Sequence, residues 1–169
     1  LGRRVFIIAE IGINHGGDLQ RAIEMILKAK SAGADMAKFQ TYDPNRIMGP
    51  HSPFLEEARK AQFPRSEHAY LKEVCERNGI EWGISLSHSE DVAWTESLGM
   101  KRYKIASRAA LDRDLVKEIN KTGKPVLLST GLLTSHQEIQ RVLDDLSDCQ
   151  VSVLYCRCNY PTNPEDVAL

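Results

Sequence analysis

Apolar residues fall along the chain in two alternating rhythms. Short unbroken runs alternate with longer stretches in which apolar positions recur every three or four residues. The first run, Val5-Phe-Ile-Ile8, suits a strand buried on both faces, as in a parallel sheet covered by helices. It carries Glu10 at its end, among Ile8, Ala9 and Ile11. A carboxylate there requires a cation, a hydrogen-bond donor or a polar cavity, since burying it alone would cost roughly several kcal/mol. Asp18 is a good N-cap, and Leu19, Ala22, Ile23, Ile26 and Leu27 form one helical stripe, stopped by Gly33. A second strand is predicted over Asp35–Gln40.

The connection from Thr41 to Pro64 contains Pro44, Gly49, Pro50 and Pro53, with a short helix predicted over Phe54–Phe63. A helix over Ser66–Asn78 follows, with Ala69, Leu71, Val74 and Cys75 as its apolar positions and Gly79 as its stop. Strands are predicted over Glu81–Ser85, Arg102–Ala106, Pro125–Ser129 and Gln150–Tyr155. Between them, Ser87 with Glu90 predicts a capping box for a helix ending at Leu98–Gly99. A helix over Asp112–Thr122 stops at Gly123. A second capping box, Ser135 with Glu138, opens a helix bearing Ile139, Val142, Leu143 and Leu146. Residues 159–166 read as a loop leading toward another helix.

Strands alternating with helices predict parallel pairing through crossovers. Two architectures remain, an open doubly wound sheet and a (β/α)8 TIM barrel. No Gly-x-Gly-x-x-Gly follows the first strand, and polar residues end several strands, so the barrel is preferred. A complete barrel needs eight strands and about 250 residues. This chain has 169 residues and six predicted strands. It is therefore expected to be a fragment of about six βα units, to be completed by another chain, or to fold as a smaller open sheet. Leu1 in place of Met points to a trimmed start.

Charge and composition narrow the function classes. Lys and Arg total 22 against 23 Asp and Glu, so no basic field favours nucleic acid or an anionic membrane. No apolar run approaches a membrane span, and LGRRVFII lacks the apolar region of a signal peptide. The four cysteines, Cys75, Cys149, Cys156 and Cys158, are expected as reduced thiols in a cytoplasmic protein. The Cys156–Cys158 spacing suits neither a disulfide nor a zinc knuckle.

Candidate chemistry gathers at the predicted carboxyl ends of the strands. Glu10, Asn14 and His15 belong to the first strand and its loop, Lys38 and Gln40 to the second, Lys104 and Ser107 to the fourth, Ser129 and Thr130 to the fifth, and Tyr160 to the loop after the sixth. Two lysines with neighbouring hydroxyls suit a substrate bearing phosphate and carboxylate. Either lysine alone reads equally as a solvated or salt-bridged strand-end residue. Two lysines inside apolar runs are harder to explain so, because lysine is rarely buried unpaired. His15 reads as a loop residue or a site residue. His51, His68, His88 and His136 read as surface or helix-cap residues, and no pair has metal-ligand spacing.

Five blocks, IAEIGINHGGD, KFQTYD, YKIAS, GKPVLLSTG and NYPTNPEDVAL, resemble the sialic acid synthase family in the right order across nearly the whole chain. That family includes N-acetylneuraminate, legionaminate and pseudaminate synthases and spore-coat polysaccharide relatives. The resemblance implies a (β/α)8 barrel followed by an antifreeze-like domain, with residues 1–169 the N-terminal part of the barrel. It implies condensation of phosphoenolpyruvate with an N-acetylated, N-acetylmannosamine-like aldose to a 2-keto sugar acid and phosphate, assisted by Mn2+ or Mg2+. By resemblance, Lys38, Lys104, Ser107 and Ser129 hold phosphoenolpyruvate, and Gln40 and Tyr160 contact the sugar. Glu10 sits beside the metal and the reacting aldehyde, and Glu10 and Lys104 are the catalytic pair. A cytoplasmic homodimer is implied, with no nucleic-acid or membrane partner.

Several positions depart from the family. Its metal-binding histidines lie beyond Leu169. Leu86-Ser87 stands where Thr-Pro is usual, Arg108-Ala109 where an acidic residue follows Gly, Tyr155 where His is usual, and Cys158 at a polar position. These departures keep two rivals in view: a Schiff-base aldolase using Lys104, and a non-catalytic binding or assembly relative.

Overall fold

The computed structural model describes residues 4–159 and 161–167. It forms two compact units, Leu1–Ser85 and Leu86–Leu169. The first contains β1 (Ile8–Gly12), α1 (Leu19–Ser31), β2 (Met36–Gln40), α2 (Pro44–Ile47), α3 (Leu55–Ala61), α4 (Arg65–Arg77) and β3 (Glu81–Ser85). The second contains α5 (Glu90–Ser97), β4 (Tyr103–Ile105), α6 (Arg113–Asn120), β5 (Val126–Ser129), α7 (His136–Asp145) and β6 (Val151–Leu154). Single 3-10 turns lie at Ala109–Leu111 and Pro164–Asp166. Neighbouring strands within each unit pair in parallel and in chain order. The α/β repeat expected from the alternating rhythms is the observed one.

In the first unit β2 is the central strand. Met36, Ala37, Lys38 and Phe39 are all buried, as a strand covered on both faces requires. Ile26, Leu71 and Ile84 close around it with no more than 1% exposure. In the second unit Tyr103, Ile105, Leu115, Ile119 and Leu128 form the corresponding core. Asp18 caps α1 by accepting from the Arg21 N–H, and Asp112 caps α6 through the Asp114 and Leu115 N–H groups. Ser135 and Glu138 form the reciprocal capping box of α7.

Three expectations are corrected. The Val5–Ile8 run is not a buried strand: Val5, Phe6 and Ile7 are 75%, 41% and 53% exposed. The β1–β2 ladder begins only at Ile8, opposite Met36. Ahead of it the chain is held by the Asp35 carboxylate, which accepts from the Ile7 N–H at 2.9 Å and from Arg4 at 2.6 Å. Ser87 and Glu90 make no capping box. Ser89 is the residue before α5; it lies in the helical region (φ −61°, ψ −31°), whereas a side-chain cap needs extended backbone. His68 is a core residue, 1% exposed. Its spacing to Leu71 and Cys75 on α4 follows the buried stripe of that helix. The short α2 within the long connection was not expected; Asp43 caps it and Pro44 opens it.

Candidate functional site

Each unit carries its own group of polar side chains at the carboxyl ends of its strands. In the first, Glu10 of β1 stands opposite Lys38 of β2. The register then shifts, so that Gly12 rather than Ile11 faces Phe39. Such a bulge adds a residue to one strand and re-aims its side chains, a device that recurs beside active sites. The Lys38 ammonium lies 2.5 Å from Glu10 Oε2 and donates to Ser85 Oγ of β3 at 3.0 Å. The Lys38 side chain is 6% exposed, whereas that of Glu10 is 51% exposed. The pair thus has a fixed, buried cation and a carboxylate open to solvent. Gln40, in register with Ser85, is exposed. A methyl on Gly12 would lie 3.4 Å from Glu10 Oε1 and 3.5 Å from Gln40 Nε2, which places both side chains around this glycine.

The β1 tip is stiffly held. Asn14 Nδ2 donates to the Ile11 carbonyl at 2.9 Å. His15 is 1% exposed, and its Nδ1 accepts from the Gly17 N–H at 3.1 Å. Its ring stacks on Phe63, 4.0 Å between centroids and 11° between planes. Burial lowers the His15 pKa, and Arg21 lowers it further, against the raising effects of the Gly12 carbonyl and Asp18. His15, read from sequence as a loop or a site residue, is a buried residue of the loop at the β1 tip.

In the second unit Lys104 Nζ of β4 donates to Ser129 Oγ of β5 at 2.7 Å and to the Ile105 carbonyl at 3.1 Å. Ser107 Oγ accepts from the Gly131 N–H at 3.0 Å. A methyl on Gly131 would lie 2.6 Å from Cys158 Sγ, 3.0 Å from Ser107 Oγ and 3.2 Å from Cys156 Cβ. Gly131 is therefore a close-approach glycine where the ends of β4, β5 and the segment after β6 meet. The four cysteines are free thiols.

The structure brings Glu10, Lys38 and Gln40 together in one unit, and Lys104 with Ser129, and Ser107 with Gly131, in the other. Tyr160 lies outside the described residues. Ser85 and Gly131 were not singled out from sequence. Ser85 had one available signal, a hydroxyl ending a buried strand in register with Gln40. Gly131 had none beyond its place in a loop. Among the described residues no group of three or more His, Cys, Asp or Glu is arranged to hold a metal. Glu10, the acid expected beside one, pairs with Lys38. No helix among them is long and apolar enough to cross a membrane.

A parallel α/β chain whose strands end in lysine–hydroxyl pairs belongs to the class of small-molecule sites built at the carboxyl edge of a sheet. The family model of the NeuB family matches residues 25–169, and the chain belongs to this family. It is 32% identical over 183 residues to the pseudaminic acid synthase of Campylobacter jejuni, covering 99% of this chain and 53% of that one. It is 33% identical to the N,N'-diacetyllegionaminic acid synthase of Legionella pneumophila, covering 97% and 52%. A crystal structure of N-acetylneuraminic acid synthetase from Leptospira borgpetersenii, in complex with citrate, superposes with a TM-score of 0.92 at 31% identity, covering 97% of this chain and 58% of that one. The fold is thus that of TIM-barrel-type synthases. The chain spans about half the length of the curated relatives it matches.

Proposed function

We propose that this chain supplies the phosphoenolpyruvate-binding part of a synthase that condenses phosphoenolpyruvate with an N-acetylated aldose to a nonulosonic acid. The observation that carries the reading is the pairing of a strand-borne ammonium with a strand-end serine in each unit, Lys38 with Ser85 and Lys104 with Ser129. A serine that accepts from an ammonium keeps its own proton to donate, so each pair is a cationic donor seat for an anion. Family membership supports the choice of anion.

In this proposal the lysines offset the phosphate and carboxylate charge of the substrate. C3 of phosphoenolpyruvate attacks the aldehyde carbon, whose C=O π pair moves to oxygen and takes up a proton, and the new C–C bond leaves positive charge at C2. Water adds at C2 and loses a proton; the bond between C2 and the phosphate oxygen then breaks, releasing inorganic phosphate as the C2 hydroxyl gives up its proton and becomes the ketone. Lys104, donating to Ser129 and a carbonyl, acts as an ammonium that stabilises the departing phosphate. Glu10, with its carboxylate half open to solvent, orients the water or takes its proton. Gln40, exposed beside Glu10, contacts the acceptor sugar, and Tyr160 is proposed to do the same. A divalent metal, Mn2+ or Mg2+, is proposed to polarise the aldehyde. The described residues form no seat for it, and the roles given to them do not depend on it. The full protein is proposed to work as a cytoplasmic homodimer.

The test uses the full-length polypeptide. Titration with phosphoenolpyruvate should show binding that Lys38→Met and Lys104→Met each abolish. Phosphate release is expected with Mn2+ and N-acetylmannosamine or a related acceptor. Absence of both binding and release across an acceptor panel rejects the proposal. A borohydride-stable adduct between a keto acid and Lys104 would favour Schiff-base chemistry instead.

A further inference from the structure

We infer that Cys156 and Cys158 form a binding site for a soft monovalent cation of the Cu(I) class, held between two thiolates beside Ser107 and Gly131. The inference does not draw on the proposed synthase chemistry. It rests on what converges after β6 in the second unit. All four cysteines are free thiols, but they are not equivalent. Cys75 is buried in α4, and burial, with the Glu76 charge adding to it, pushes its thiol up to about 12. Cys149 lies ahead of β6, at its amino end, and its Sγ faces the Ile119 and Asn120 carbonyls at 3.8 and 3.7 Å. Cys156 and Cys158 follow β6 at its carboxyl end, the first half-buried and the second exposed. The place a methyl on Gly131 would take is common ground for three groups: it lies 2.6 Å from Cys158 Sγ, 3.2 Å from Cys156 Cβ and 3.0 Å from Ser107 Oγ. Two thiol side chains thus flank one spot, and solvent reaches it past Cys158.

Thiolate sulfur is a soft ligand, so the pair selects soft ions over Mg2+, Ca2+ or Mn2+. A structural zinc site takes four ligands. Among the described residues no group of three or more His, Cys, Asp or Glu is arranged to hold a metal. A filled-shell monovalent ion such as Cu(I) is satisfied by two thiolates in a line. The spacing that suits neither a disulfide nor a zinc knuckle is no obstacle here, because the two sulfurs must stay apart by the width of an ion. Cys156 Sγ rests 3.5 Å from the Leu154 carbonyl, a weak S–H bond that a turn about χ1 gives up. Ser107 Oγ accepts from the Gly131 N–H at 3.0 Å, which leaves its own hydroxyl proton for a thiolate. Binding releases one proton from each thiol to solvent and moves no electron, because the ion enters already reduced.

The experiment is anaerobic titration of the reduced full-length protein with Cu(I), in competition with bicinchoninate and without substrate. Wild type should take up one ion, and Cys75→Ala and Cys149→Ala should hold it unchanged. Cys156→Ser and Cys158→Ser should each weaken it by about a hundredfold or more, since losing a group that merely supports a ligand already costs about 10–100-fold. X-ray absorption at the copper edge should show two sulfur neighbours. Cys158 is exposed, so its replacement leaves the fold intact. Should Cys156→Ser not fold, the sulfur count in wild type against Cys158→Ser, two against one, decides the same question. Affinity in Cys158→Ser within about threefold of wild type overturns the inference. So does a count of three or four sulfurs, which would put the ion among other ligands, or no uptake by wild type.

Discussion

Glu10→Gln and Lys38→Met break the same ion pair, yet their costs should differ. Removing Glu10 leaves an ammonium that is 6% exposed without its counter-charge, whereas removing Lys38 leaves a carboxylate already 51% exposed, which water solvates. Glu10→Gln should therefore destabilise by on the order of 1–3 kcal/mol and Lys38→Met by less, read as midpoints of urea unfolding. Equal costs would mean that the burial asymmetry has no energetic weight. His68 makes a second prediction. Burial, and then the neighbouring charge of His15, push its pKa from 6.5 down to about 4. The unfolded chain therefore binds the proton more readily than the folded one. Stability is full above about pH 6.5 and falls as pH drops toward 4, by on the order of 3 kcal/mol for a group this buried. Unfolding free energies measured across that window should slope in wild type and flatten in His68→Leu; an unchanged slope in the variant would assign the effect to other groups. At this scale Glu10 and Lys38 were legible because a charge inside an apolar run needs a partner. Ser85 was not, because a serine at a strand end is ordinary until a cation is seen to lean on it.

Among the elements, the β1–α1 connection shows how a loop can be as constrained as a strand. Gly17 has φ +80°, and a methyl there would lie 1.9 Å from the Lys60 carbonyl oxygen at the end of α3. Neither strain nor backbone can yield cheaply. Gly17→Ala should destabilise by at least ~2 kcal/mol, measured by chemical unfolding. A cost below ~0.5 kcal/mol would show that α3 does not pack where the structure puts it. The same contact explains why the stacked His15–Phe63 pair is buried: the tip of β1 and the end of the α3 connection are locked together. Most elements could be read from the chain because their punctuation is local. Gly33, Gly79, Gly99 and Gly123 each follow a helix and precede a strand, and the Ser135–Glu138 box forms as its spacing requires. The failed Ser87–Glu90 box has the same spacing. What differs is the backbone of the preceding turn, in which the Asp91 N–H bonds the His88 carbonyl. That choice is made by packing, which spacing does not encode.

At the scale of the molecule, the apolar residues that found no cover are as informative as the core. Val5, Phe6 and Ile7 lead into β1, and Val153 and Tyr155, 49% and 51% exposed, lie on and just beyond β6. The strand expected near residues 150–155 forms as β6, whereas Val5–Ile8 looks like a buried strand and is not one, because a run of apolar residues reports the demand for cover, not its presence. Exposed apolar residues along a strand, with backbone groups beside them, favour pairing with another chain. The isolated 169-residue chain should therefore self-associate as its concentration rises and bind a hydrophobic dye. Val5→Lys and Val153→Lys, each placing charge on one of these stretches, should reduce both light scattering and dye fluorescence without lowering the unfolding midpoint, because these side chains are 75% and 49% exposed. A monodisperse chain that binds no dye would mean that these side chains are covered in solution by something other than the elements described. A fall in the midpoint would mean that they are part of the packing after all.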